Sequence, residues 1–196
     1  MVIVKSKRDT YGANSDYLFK ALNYLYDKEK SLHIGGYGIN PYNLEETFKQ
    51  MMFVKNYFHR TTDNPIMHFI VSFDDNVRTY ERAKALAVII CAHFKCRHQL
   101  LWAVHRKVRG DSTYHIHIIM NAVSFVDGKM YNSSRDELDK FCYHIQKCTG
   151  SERYLQFVGE LSSDDIWELI QQKFWNNLNR GKAKSYIEKI PGNNIW

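Results

Sequence analysis

The chain has 196 residues, enough for one hydrophobic core of ordinary size and too few for several independent domains. Apolar residues make up 44% of it and aromatic residues 14%, which excludes disorder over most of the length. Lysine and arginine outnumber acids by 27 to 21, and the formal charge of +6 favours polyanionic partners, because neutralised phosphates release condensed counterions.

Residues 2–4 (VIV) form a β-branched run. Asn14 or Ser15 can then cap a helix in which Leu18, Leu22 and Leu25 recur at helical spacing, and which also carries Tyr17, Tyr24 and Tyr26. Residues 32–41 (LHIGGYGINP) read as a glycine-rich loop, and Asn43 can cap a second helix extending towards Phe58. Residues 67–73 (MHFIVSF) are a strand candidate, with His68 and Ser72 on one face and Met67, Phe69, Val71 and Phe73 on the other. A helix follows from about Thr79, its stripe formed by Ala83, Leu86, Ala87, Ile90, Cys91 and Phe94.

Two further strand candidates, residues 99–105 (QLLWAVH) and 114–125 (YHIHIIMNAVSF), are joined by a polar linker and should pair as a hairpin. Asp127-Gly128 is a turn signal, Ser133 or Ser134 can cap another helix through about Lys147, and residues 154–158 add a strand. Ser162 opens a last helical segment containing Trp167 and Phe174. This order predicts an α+β fold, a central antiparallel sheet with helices packed on one face and the other face open to a ligand. The expected division is a main domain over residues 1–160 and a helical extension over residues 161–196, either separate from that domain or part of it.

The four cysteines form no CxxC pair, so a disulfide framework is not expected. The opening MVIVKSKRD lacks the apolar core of a secretory signal, and no stretch approaches the roughly 20 apolar residues of a membrane helix. The expectation is a cytoplasmic protein with no membrane insertion.

Strand alternation puts His115, His117, Ile119 and Asn121 on one face and the wholly apolar set Ile116, Ile118, Met120 and Ala122 on the other. The apolar set claims the core, so two imidazoles two residues apart project together where a divalent ion can be chelated. His105, ending the preceding strand, completes a triad. A lone strand histidine is ordinarily a satisfied polar residue; an HxH pair with a third histidine on the partner strand is a metal pattern. Three protein ligands leave coordination positions open, as catalytic metals require. Nitrogen donors alone favour Mn²⁺, Zn²⁺, Co²⁺ or Ni²⁺ over Mg²⁺, while phosphate oxygens from a substrate bring Mn²⁺ and Mg²⁺ into use.

The segment AVHRKVRGDSTYHIHIIMNAVSF (residues 103–125) resembles the third motif of conjugative relaxases, the HUH endonucleases that mobilise plasmids and integrative elements. HFIVSF (residues 68–73) resembles that family's second motif and ALNYLYDKEKS (residues 21–31) its first, all in family order. The resemblance is strongest to the P mobility class, with two departures: no proline near Lys28, and a longer linker between His105 and His115.

The resemblance implies an HUH domain within residues 1–160, a divalent ion on His105, His115 and His117, and Tyr24 as nucleophile, with Tyr26 also available. It further implies single-stranded DNA at a transfer origin as substrate, with accessory DNA-binding and coupling proteins as partners. Ser72, Asn121, Tyr26, Arg106, Lys107 and Arg109 are candidate supporting or DNA contacts, each equally readable as an ordinary polar side chain. A rolling-circle replication initiator would share the chemistry. A non-catalytic basic DNA-binding module and a metallohydrolase of small phosphoesters are the alternatives from other classes.

Overall fold

A computed structural model describes residues 2–7, 15–61, 66–73, 76–106, 114–151 and 154–158. The elements run β1 (Val2–Lys7), α1 (Ser15–Leu25), β2 (Ser31–Tyr37), α2 (Leu44–Tyr57) and β3 (Ile66–Ser72), then α3 (Tyr80–Cys91), β4 (Leu100–Arg106), β5 (Tyr114–Asn121), α4 (Arg135–Thr149) and β6 (Tyr154–Val158). The expected extension, residues 161–196, lies outside the described residues, as do Lys107 and Arg109.

The strands form one sheet in the order β2-β4-β5-β3-β1-β6. The four pairings from β2 to β1 are antiparallel, and β6 joins β1 in parallel at the edge. This is the α+β antiparallel architecture expected from the chain order, and the β4–β5 hairpin forms as its alternation requires. Local signals set the helix starts: Asn43 accepts from the Glu46 amide at 3.1 Å and Thr79 from the Arg82 amide at 3.3 Å, each satisfying an orphan donor of a first turn. Ser134 precedes α4 without a side-chain capping bond.

One face of the sheet carries Phe69, Val71, Trp102, Val104, Ile116 and Ile118, buried under Leu86 and Ile90 of α3 and Leu138, Phe141 and Ile145 of α4. The opposite face is not left fully open. Leu18, Leu22 and Leu25 of α1, with Met51 of α2, pack on Ile66, Leu101, Ala103 and Ile119 in a second cluster. Burying a leucine side chain stabilises by about 1.5–3 kcal/mol, so the three leucines of α1 dock this helix firmly on the sheet. Here the structure adds to the one-face expectation: an apolar helix stripe demands cover, and the Phe69–Trp102 face is already filled by α3 and α4.

Residues 32–37 of the glycine-rich segment are strand, not the loop its composition suggested, while residues 38–41 do leave the strand in a turn. Gly35 lies opposite Trp102 in the β2–β4 register, and a Cβ on Gly35 would sit 2.5 Å from the indole, so glycine is what lets β2 join the sheet there. Gly128 adopts φ +67° in the expected Asp127-Gly128 turn, the left-handed region that glycine occupies without strain.

Candidate metal and nucleophile site

The site lies on the α1 face, at the His105 end of the β4–β5 hairpin. His105 and His115 are direct cross-strand partners, and His117 lies opposite Ala103, two residues along on the same face. Ring centroids are 4.6 Å apart for His105 and His117, 5.3 Å for His105 and His115, and 5.1 Å for His115 and His117. One potential ligand nitrogen from each ring falls within 4.8 Å of the others, so the trio can hold a metal ion. His105 and His117 are buried and His115 is partly exposed, which leaves an approach from solvent.

Burial, reinforced by the positive charge of Lys30, pushes His105 down to about 4. The ring is therefore neutral at pH 7, and a neutral imidazole is the form that ligates.

Neighbouring groups fix two of the rings. His68 Nε2 and His117 Nδ1 share a hydrogen bond of 3.1 Å, and both residues are buried. Ser31 Oγ lies 2.9 Å from His105 Nε2 and donates to the Leu25 carbonyl at 2.7 Å. Ligand histidines are commonly held in this way through the nitrogen that does not face the metal.

Tyr24 arrives on α1. Leu22 and Leu25 point into the second cluster, and Tyr24, flanking that stripe, is 39% exposed with its ring centroid 5.3 Å from His117 and 5.7 Å from His105. Lys30 Nζ stands 5.3 Å from the Tyr24 ring centroid and 2.9 Å from Asp27 Oδ2. The Lys30 hydrogen bond holds the Asp27 carboxyl below its ordinary range, and Asp27 in turn raises Lys30. An open cleft of about 400 Å³ runs beside Tyr24, lined by Lys20, Asn23, Tyr26 and Asp27.

The other expected residues divide. Ser72 lies directly opposite His115 in the β3–β5 register, beside the trio. Arg106 is exposed at the end of β4, next to His105. Tyr26 turns away: its hydroxyl donates to the Pro41 carbonyl at 3.0 Å and pairs with Thr47 Oγ1 at 2.9 Å, and burial raises its pKa. Asn121 stands apart from the trio. It is wholly buried at the far end of β5, its amide donating to Met51 O and Gln99 Oε1 while its oxygen accepts from the Val123 amide, so it braces α2 against the sheet.

Sequence reasoning noticed His68 only as a neighbour of Ser72 and passed over Ser31 and Lys30. Face alternation was the available signal for His68. Ser31 closes the first resembling motif, residues 21–31, and nothing in that pattern pointed its hydroxyl at a histidine.

With this geometry in view, comparison with known families is decisive. Residues 17–150 match the family described as Relaxase: MobA/VirD2-like, nuclease domain. The chain belongs to this relaxase family. The matched span runs from α1 through α4 and includes Tyr24, His68 and all three clustered histidines. No curated protein matches the chain. Membership makes this relaxase chain a DNA nuclease domain, and among the described residues no helix is long and apolar enough to cross a membrane.

Proposed function

We propose that this relaxase nicks single-stranded DNA at a transfer origin through Tyr24 and passes the strand on during conjugative mobilisation. The observation that carries the reading is the placement of the Tyr24 ring, part-exposed, against two rings of the histidine trio, while the hydroxyl of Tyr26 is spent on Thr47 and Pro41.

The Tyr24 oxygen forms a bond to the scissile phosphorus as the bond to the 3′ oxygen breaks. The phenol gives up its proton, the departing 3′ oxygen gains one, and a 5′-phosphotyrosine remains. Attack by another 3′-hydroxyl reverses the step, so the energy of the phosphodiester is kept in the adduct and neither water nor a nucleotide cofactor is consumed.

His105, His115 and His117 would hold a divalent ion, Mn²⁺ or Mg²⁺ in use with Zn²⁺, Co²⁺ or Ni²⁺ as substitutes, which supplies Lewis-acid stabilisation of charge on the phosphate. Lys30 adds a positive charge on the Tyr24 side, and Ser72 and Arg106 flank the trio where the phosphate would enter. Packing of α1 on the sheet supplies orientation, since the nucleophile needs no large movement to reach its partners. The partners this reading carries with it are accessory DNA-binding and coupling proteins.

The test is cleavage of a labelled origin oligonucleotide by the full chain. Wild type and Tyr26→Phe should nick with added Mn²⁺, whereas chelator-treated protein and Tyr24→Phe should not. Undiminished nicking by Tyr24→Phe would overturn the assignment.

A further inference from the structure

Ser31 opens β2 immediately after the turn that ends α1, and its amide donates to the Asp27 carbonyl at 2.9 Å. It pairs with His105 across β2 and β4, but the register shifts between Ser31 and His33, both Leu32 and His33 being spanned by Val104. That one-residue bulge decides the direction of the hydroxyl. Ile34 pairs with Ala103 and packs in the α1-side cluster; three residues earlier, strict alternation would send Ser31 to the opposite face. The extra residue restores it to the face of His105, the re-aiming that bulges achieve beside functional sites. Leu32, displaced by the bulge, is exposed, and His33 turns to Tyr80 of α3.

The proton count at Ser31 then has one solution. A hydroxyl has a single proton, and a carbonyl can only accept. The Leu25 carbonyl, 2.7 Å away, takes the Ser31 proton, so the bond of 2.9 Å to His105 must run from the ring, with Nε2 protonated. Nδ1 is left with its lone pair. Leu25 is the last residue of α1, where backbone carbonyls lack helical partners and the helix dipole is negative. A donor chain from ring to hydroxyl to helix end therefore draws electron density towards the imidazole and makes it a better ligand.

We propose that Ser31 is a positioning residue: its hydroxyl fixes His105 as the Nε2–H tautomer with Nδ1 turned to the metal, and ties that ligand to the end of the helix carrying Tyr24. The inference rests on the reading of the trio as a metal site with Tyr24 as nucleophile. His117, bonded to His68 through Nδ1, presents Nε2 instead. The two rings thus use different nitrogens, an asymmetry set by a serine on one side and a histidine on the other.

The test needs no DNA. Long-range ¹H–¹⁵N spectra of the metal-free full chain, labelled at histidine, should show His105 protonated at Nε2. Mn²⁺ titrations should show binding about 10–100-fold weaker in Ser31→Ala, with Ser31→Thr, which keeps the hydroxyl, close to wild type. A His105 ring protonated at Nδ1 in wild type, or equal Mn²⁺ affinity in wild type and folded Ser31→Ala, would overturn the proposal. The wild-type spectrum decides the tautomer even where Ser31→Ala fails to fold. If tautomer and affinities behave as expected but no Tyr24 adduct forms on DNA, the Ser31 proposal stands and the strand-transfer reading falls.

Discussion

Replacing His68 by leucine removes the bond to His117 while keeping an apolar side chain of comparable bulk in β3. Both imidazoles are buried and their ring nitrogens are 3.1 Å apart, so the change leaves His117 Nδ1 in a dry site without this partner. Removing one partner of a buried hydrogen bond costs about 1–3 kcal/mol, and that is the expected loss of unfolding free energy in the metal-free chain. His117 would also be released to rotate or to exchange tautomers. Loss of such an outer partner weakens metal binding by about 10–100-fold, equivalent to about 1.4–2.7 kcal/mol. Calorimetric titration with Mn²⁺, run beside urea unfolding, separates the two effects. His68→Gln should recover most of the affinity, because its amide oxygen can accept from Nδ1–H. A folded His68→Leu protein with wild-type Mn²⁺ affinity would refute the role given to this histidine.

Tyr26→Phe should cost about 1–2 kcal/mol in urea unfolding through the lost Thr47 and Pro41 bonds, with adduct formation retained. Gly35→Ala should lose about 1–3 kcal/mol, since the new methyl meets the Trp102 indole; a thermal midpoint equal to wild type would contradict the packing described for β2. Acid sensitivity should follow from His98, buried against the Asn121 carbonyl at 3.0 Å, whose pKa burial lowers from its ordinary 6.5. The unfolded chain then binds more protons than the folded one just below pH 6.5, so stability is full above that pH and declines as pH falls towards the folded value. Denaturant midpoints measured in small pH steps should show this decline, and His98→Asn should make it shallower, the remainder belonging to His105 and His93, whose pKa values burial also lowers.

Much of the site was written in local pattern. The period-two alternation of β5 separated Ile116, Ile118 and Met120 from His115 and His117, and the hairpin joined His105 to them, because pairing across two adjacent strands depends on near neighbours in sequence. Caps at Asn43 and Thr79 are equally local. What escaped depends on contacts distant in the chain. Residues 32–36 look like loop because two glycines forfeit strand propensity, and only the indole of Trp102 explains why glycine is needed there. Ser31 gains its direction from a bulge that no composition announces. The stripe of Leu18, Leu22 and Leu25 says that α1 is buried, yet not against which face of the sheet. That choice is what brings Tyr24 to the histidines, so the position of Tyr24 came from resemblance at the sequence level and from packing in the fold. The same blindness put Asn121 on the histidine face, correctly, but could not see α2 closing over it.

The central claim is that the Tyr24 oxygen takes the phosphate. Incubating the full chain and Mn²⁺ with single-stranded origin DNA, then digesting and mapping the covalently modified peptide by mass spectrometry, addresses it directly. The account predicts a nucleotide mass on Tyr24 in the peptide spanning residues 21–28. A modified residue elsewhere, including Tyr26, or cleavage with no covalent adduct at all, would contradict it.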